Sequence, residues 1–143
     1  MPTRTIASVV RGQRILTAER EMSVREASMR MAAERVGSVM IVDSGKLVGI
    51  FTERDALFRV LAAGLAPDRT RLADVMTPNP QTITPDRPLV HAMHLMTEGG
   101  FRHVPVVIDG RPVGMVSARD ALGSELLAFE HELEQREAIS ERL

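Results

Sequence analysis

The sequence predicts an α+β fold assembled from α/β-type repeats: two copies of a β-α-β-β-α unit, followed by a helical extension. Three observations carry this expectation. Displaced by 65 positions, the chain of 143 residues lies on itself, with 36 pairs aligned from residues 22–57 and eleven of them identical. Within each copy the hydrophobic spacing switches between the strand period and the helical period. The composition, 44% hydrophobic and 26% charged, is too apolar for disorder and ordinary for a globular chain. Repeats of this size bury their open faces against each other. The expected units are residues 1–68, residues 69–124 and a tail over 125–143.

Each copy reads in the same order. A short strand is expected over 14–17 and again over 81–84. A helix follows. In the first copy Ser23 is the N-cap and Glu26 completes a capping box, with Val24, Ala27, Met31 and Ala32 on one apolar face. In the second, Pro85-Asp86-Arg87-Pro88 punctuates the start, and Leu89, Ala92, Met93 and Met96 form the face. Near-continuous apolar runs at 39–42 and 104–108 read as strands covered on both sides. Tight turns at Asp43-Ser44-Gly45-Lys46 and Asp109-Gly110 return the chain into third strands over 47–51 and 113–116. The last helices open at Thr52 and Ser117; the first ends near Gly64 and the second runs through the tail toward residue 138. Further upstream, residues 6–10 resemble residues 72–76 at an offset of 66.

Several functional classes are excluded by what the chain lacks. It has no cysteine, so disulfides, thiol nucleophiles and thiolate metal sites are ruled out. No apolar run approaches membrane-spanning length and no apolar block of signal-peptide length opens the chain, so no membrane association and a cytoplasmic location are expected. The net charge of −1 and the absence of Trp and Tyr argue against nucleic acid. Charge is nevertheless uneven: residues 125–143 hold two Arg and six Glu, and 17 of the 18 basic residues are Arg. His91 and His94 have no third metal ligand at useful spacing, and His131-Glu132 fails the zinc-protease pattern because position 135 is Gln. No phosphate-binding glycine loop and no nucleophile paired with a base are visible, so no catalysis and no required cofactor are expected.

The repeated chemistry lies at the second helix entrance. Gly49-Ile50-Phe51-Thr52-Glu53-Arg54-Asp55 and Gly114-Met115-Val116-Ser117-Ala118-Arg119-Asp120 share one pattern. Thr or Ser with Asp three residues later caps a helix. The same groups suit a nucleotide: helix N–H donors, a hydroxyl and a guanidinium for phosphate, and a carboxylate for a ribose diol. Capping alone does not call for the recurring Gly and Arg.

With these motifs the chain resembles a pair of cystathionine-β-synthase (CBS) domains. The resemblance is densest at 74–78, at 82–86, at Arg102-His103-Val104-Pro105-Val106 and at 114–120. The first copy departs from it at Val9-Val10-Arg11 and has Met40 opposite Pro105. The resemblance implies two domains packed pseudo-symmetrically through their sheets, with two crossed clefts for an adenosine-containing ligand such as AMP, ADP, ATP or S-adenosylmethionine. One cleft would join Thr17, Ala18, Ser38 and Val39 to Ser117, Arg119 and Asp120. The other would join Thr82, Ile83, Arg102, His103 and Pro105 to Thr52, Arg54 and Asp55, and is favoured for its polar and planar surface. It further implies a homodimer formed through helices, with Leu57, Val60 and Leu61 and Leu122, Leu126 and Phe129 as candidate contacts. The expected function is a stand-alone regulatory module that senses an adenosyl ligand without catalysis and is read by an effector protein. The alternative is a structural dimerisation module with empty clefts. The tail, with Leu126, Phe129 and Leu133 in one stripe, packs on its own module or on a partner.

Overall fold

The computed structural model describes residues 4–120 and 132–136. Helix α1 (Ile6–Val10) leads to strand β1 (Thr17–Glu19), helix α2 (Val24–Glu34), and the hairpin β2 (Ser38–Asp43) and β3 (Lys46–Thr52). A short helix α3 (Glu53–Asp55) runs on as a π-helical segment, Ala56–Leu61. The second half repeats this with α4 (Leu72–Val75), β4 (Thr77–Pro78), α5 (Leu89–Gly99), β5 (His103–Ile108) and β6 (Arg111–Ser117). Residues 132–136 are helical, and Leu122, Leu126 and Phe129 lie outside the described residues.

The repeat is visible in the pairing. In the first half β1 runs parallel to β2, with Ala18 opposite Ile41, and β2 pairs antiparallel with β3. In the second half Ile83 bridges Val106 in parallel and β5 pairs antiparallel with β6. Each of these positions is displaced by 65. The irregularity in each hairpin, at Ile41/Val42 and Val106/Val107, recurs at the same displacement. Both turns place two residues at positive φ: Ser44 and Gly45 at 52° and 80°, Asp109 and Gly110 at 51° and 78°. This is the turn whose twist matches a hairpin.

Several expected details change. The first strand lies at Thr17–Glu19 rather than 14–17, and the expected strand over 81–84 shrinks to the Ile83 bridge. Pro80 and Pro85 bracket that segment and have no N–H to offer a ladder. Ser23 caps α2 by accepting from the Glu26 N–H at 3.1 Å, but the Glu26 carboxylate pairs with Arg30 at 3.0 Å, leaving the capping box unclosed. Val24, Ala27 and Met31 are buried whereas Ala32 is exposed; Leu89, Ala92 and Met96 form the equivalent face. Val60 is buried at 1% exposure, so it does not belong to the outer stripe. The Leu57 and Val60 carbonyls accept from the Ala62 and Leu65 N–H groups five residues on. That wider turn rotates Val60 away from Leu57 and Leu61 and leaves Phe58 outside with them.

Packing units and sequence repeats do not coincide. Leu72, Val75 and Met76 complete the core around Val39, Ile41 and Phe51 in the first half. Conversely, Ile6 enters the core around Val104, Val106 and Val116 in the second. Backbone bonds fix both exchanges: the Ile6 and Ala7 N–H groups donate to the Arg87 and Pro85 carbonyls, and those of Leu72 and Ala73 donate to Met22 and Arg20. Beside β3, β4 adds a further strand, with Ile50 opposite Thr77. At the equivalent edge of β6 a side chain replaces the strand. The Gln13 carboxamide accepts from the Met115 N–H at 2.8 Å and donates to the Met115 carbonyl at 3.0 Å.

Candidate functional site

The site begins where β3 runs out. Thr52 is the last strand residue and the N-cap of α3, in an extended conformation that exposes the first helical N–H groups. Its Oγ1 accepts from the Asp55 N–H at 3.2 Å. In return, Asp55 Oδ2 accepts from the Thr52 N–H at 3.0 Å and from the Thr52 hydroxyl at 3.2 Å. The same reciprocal box closes the second entrance: Ser117 N–H to Asp120 Oδ2 at 3.1 Å, and Asp120 N–H to Ser117 Oγ at 3.2 Å. The repeated Thr/Ser and Asp therefore do serve as caps.

The repeated glycines have a reason of their own. A Cβ on Gly49 would stand 2.4 Å from Met76 Sδ and 3.1 Å from the Thr77 carbonyl oxygen. On Gly114 it would stand 2.5 Å from Val10 Cγ1 and 2.6 Å from Val10 Cβ. Met76 and Val10 are equivalent residues of the two crossing segments. The glycines admit that crossing, and their recurrence is a packing requirement rather than a ligand contact.

The two halves enclose a cavity of about 590 Å3 at the first entrance. Thr52, Glu53, Arg54 and Asp55 form one wall, the linker residues Thr77, Asn79, Pro80 and Gln81 the base, and Gly99 to His103 the opposite wall. That volume is of ligand size. Of the residues assigned to this cleft from the sequence, Thr52, Arg54, Asp55, Arg102 and His103 come together. Thr82 is exposed outside the wall, while Ile83 and Pro105 are buried in the second half, where the Ile83 N–H donates to the Pro105 carbonyl. His103, the first residue of β5, lines the cavity, whereas the strand from Val104 to Val107 is buried on both faces and takes Pro105 with it.

The residues assigned to the other cleft are placed differently. Ala18 and Val39 are core residues, Ser38 is buried opposite Thr52, and Thr17 is half-buried in β1. Ser117 and Asp120 close the second entrance, Arg119 is exposed, and residues 121–131 beyond them lie outside the described residues. A smaller cavity of about 400 Å3 opens between Glu19–Glu21 and Val42–Gly45 and contains neither entrance. Among the described residues no group of three His, Asp or Glu is placed to hold a metal, and no helix is long and apolar enough to cross a membrane.

Two residues not singled out in the sequence act at the entrance. Arg59 lies 3.5 Å from Asp55 Oδ1 and donates to the Val75 and Met76 carbonyls at 3.3 and 3.2 Å, tying the entrance to the crossing segment. The Asp55 side chain is only 12% exposed and has both oxygens engaged. The signal was present, because Asp and Arg four apart meet on a helix. Glu53 is the second: its carboxylate occupies the space a side chain at position 37 would need. The second copy has Ala118 there.

His103 stands opposite Ser117 in the hairpin and shares the cavity with Glu53 and Arg102. Burial pushes its imidazole below the ordinary 6.5; Glu53 and Asp120 act against that shift and Arg102 with it. Folded His103 thus binds fewer protons than unfolded His103. Stability from this group is present above pH 6.5 and lost as the pH falls below it toward the depressed value. We expect His103→Gln to flatten the decline in denaturant-measured stability between about pH 7 and about pH 5, where the parent loses ground. Parallel profiles for the two proteins would refute it.

A family model for the CBS domain matches residues 8–62 and again residues 72–126. Over 138 residues, 96% of the chain, the sequence is 36% identical to the CBS domain-containing protein CBSCBSPB2 of Arabidopsis thaliana, and it spans 26% of that protein's length. Among solved structures, a protein with CBS domains from Burkholderia ambifaria is 30% identical with a TM-score of 0.79, over 86% of this chain and 94% of that one. The CBS domain pair of protein MJ0100 is 29% identical with a TM-score of 0.75, over 90% of this chain and 99% of its own. That pair was solved in complex with 5′-methylthioadenosine and S-adenosyl-L-methionine.

Proposed function

The chain belongs to the CBS-domain family as a tandem pair, and on that premise we propose that it is a regulatory module binding an adenosine-containing ligand. The site is the cavity at the Thr52 entrance. The observation that carries this reading is the cavity of about 590 Å3 in which Thr52, Arg54 and Asp55 of one half face Phe101, Arg102 and His103 of the other. Arg54 and Arg102 supply planar cations for phosphate. Phe101 and His103 supply flat surface for a base. Asp55 is the ribose group, and a diol there competes with Arg59 for Oδ1. Relatives support the ligand class, since the MJ0100 pair holds adenosine derivatives. We assign the module no catalysis, because the entrance hydroxyls and carboxylates are engaged with one another as caps. Two copies associate through the exposed helix face of Leu57, Phe58 and Leu61, and an effector protein reads the result.

One observation favours a purely structural role. Both entrances are complete capping boxes, in which the Thr52 and Ser117 hydroxyls and the Asp55 and Asp120 carboxylates partner backbone N–H groups of their own turn. A thermal-shift panel separates the readings. AMP, ADP, ATP or S-adenosylmethionine at a hundredfold over its Kd raises stability by about 2.7 kcal/mol. Asp55→Asn keeps a cap acceptor while weakening the diol contact, so it abolishes the shift, whereas Asp120→Asn retains it. Native mass spectrometry of the same samples gives the assembly size. If none of the four compounds moves the midpoint, the structural role stands.

A further inference from the structure

We propose that Arg54 transmits occupancy of the cleft to the outer face of its helix, by leaving the Phe58 ring when a phosphate-bearing ligand enters. The proposal rests on the adenosine-ligand reading above and goes beyond it by naming the charge of the ligand that signals and the side chain that moves. Arg54 lines the cavity. Its guanidinium carbon also lies 5.2 Å from the centre of the Phe58 ring, one turn further on. One side chain therefore belongs both to the ligand cleft and to the surface. Phe58 is 58% exposed, with Leu57 at 52% and Leu61 at 64% beside it, so the ring that Arg54 covers is part of an apolar outer face.

The competition has a clear direction. A cation over an exposed ring is weakly held. A phosphate at the rim of a partly enclosed cleft offers the same guanidinium a charged, bidentate partner. Arg59, the next cation along the helix, is held by Asp55 and two backbone carbonyls and stays where it is. An uncharged ligand fills the cleft without giving Arg54 a reason to move. Phosphate-bearing ligands consequently uncover Phe58 and uncharged ones do not. Because the contact given up is weak, the change in association of two copies through this face is modest, about twofold to fivefold.

The chain contains neither Trp nor Tyr. Phe58→Trp therefore introduces a single indole at the position that reports the movement. In this variant, diluted until native mass spectrometry shows a single copy, we expect saturating AMP to red-shift the emission and raise acrylamide quenching. Adenosine raises the melting midpoint without changing either. Adding Arg54→Gln gives a protein already red-shifted and unresponsive to AMP. Equal spectral responses to AMP and adenosine would overturn the proposal, as would an AMP-raised midpoint with unchanged emission. If no adenosine compound raises the midpoint, the binding reading itself fails, and this inference with it. A hydrophobic dye added to the unsubstituted protein gives a second readout: more dye bound with AMP than with adenosine is expected, and equal binding refutes it.

Discussion

Leu72→Ala is expected to destabilise the protein by about 3 kcal/mol, within the range of about 2–5 kcal/mol for truncating a buried leucine. Leu72 is fully buried, yet it belongs by sequence to the second copy and by packing to the core of the first. Its helix, four residues long, has no side-chain cap and little stability of its own. Removing its anchor therefore costs both a cavity in the first-half core and the docking of the segment that carries Met76 and Thr77 to β3. Ile6→Ala is the mirror case, since Ile6 fills the second-half core from the first copy. Urea unfolding of both variants should show one transition displaced to lower denaturant, because the halves share their cores. Two separated transitions, or a loss below about 1 kcal/mol, would show that the exchange is not a source of stability.

Gly114→Ala is expected to cost about 2–3 kcal/mol, and Gly49→Ala less, nearer about 1 kcal/mol. Both positions are buried at the crossing of the two halves. The difference lies in what the new methyl meets. At Gly49 the nearest atom is the sulfur of Met76, the far part of an adaptable side chain that can rotate aside. At Gly114 it is Val10, whose Cβ itself stands 2.6 Å away; a branched carbon bonded to the backbone moves only if helix α1 moves. The Gln13 pairing with Met115 lies beside it and would be disturbed together with it. Denaturant midpoints of the two variants measure the order directly. Equal costs would refute the account, and a larger cost at Gly49 would reverse it.

Much of the fold was legible in the chain. The 65-residue displacement locates both hairpins, both positive-φ turns and both helix faces, because these depend on period, turn residues and caps within a few positions. The site was half legible. Thr52, Arg54 and Asp55 were readable because their motif recurs at 117–120, and the resemblance to a CBS pair joined Arg102 and His103 to them. Arg59 was not singled out, although its spacing from Asp55 marked it. The recurrence of Gly49 and Gly114 was visible, but its cause was not.

The sequence by itself determined the repeated unit, its two hairpins with their turns, and the capped helix entrances, all of which are settled by neighbours along the chain. Only the tertiary structure decided which core each short N-terminal helix fills, that Gln13 takes a strand's place beside β6, and which of the candidate residues reach the cavity. The reason is physical. An apolar stripe such as Ile6 and Val10 or Leu72 and Val75 records that a face must be buried, but carries no record of which half will bury it. Two equivalent halves offer equivalent surfaces, and the choice is made by the reach of the linkers and by the close approach that glycine allows.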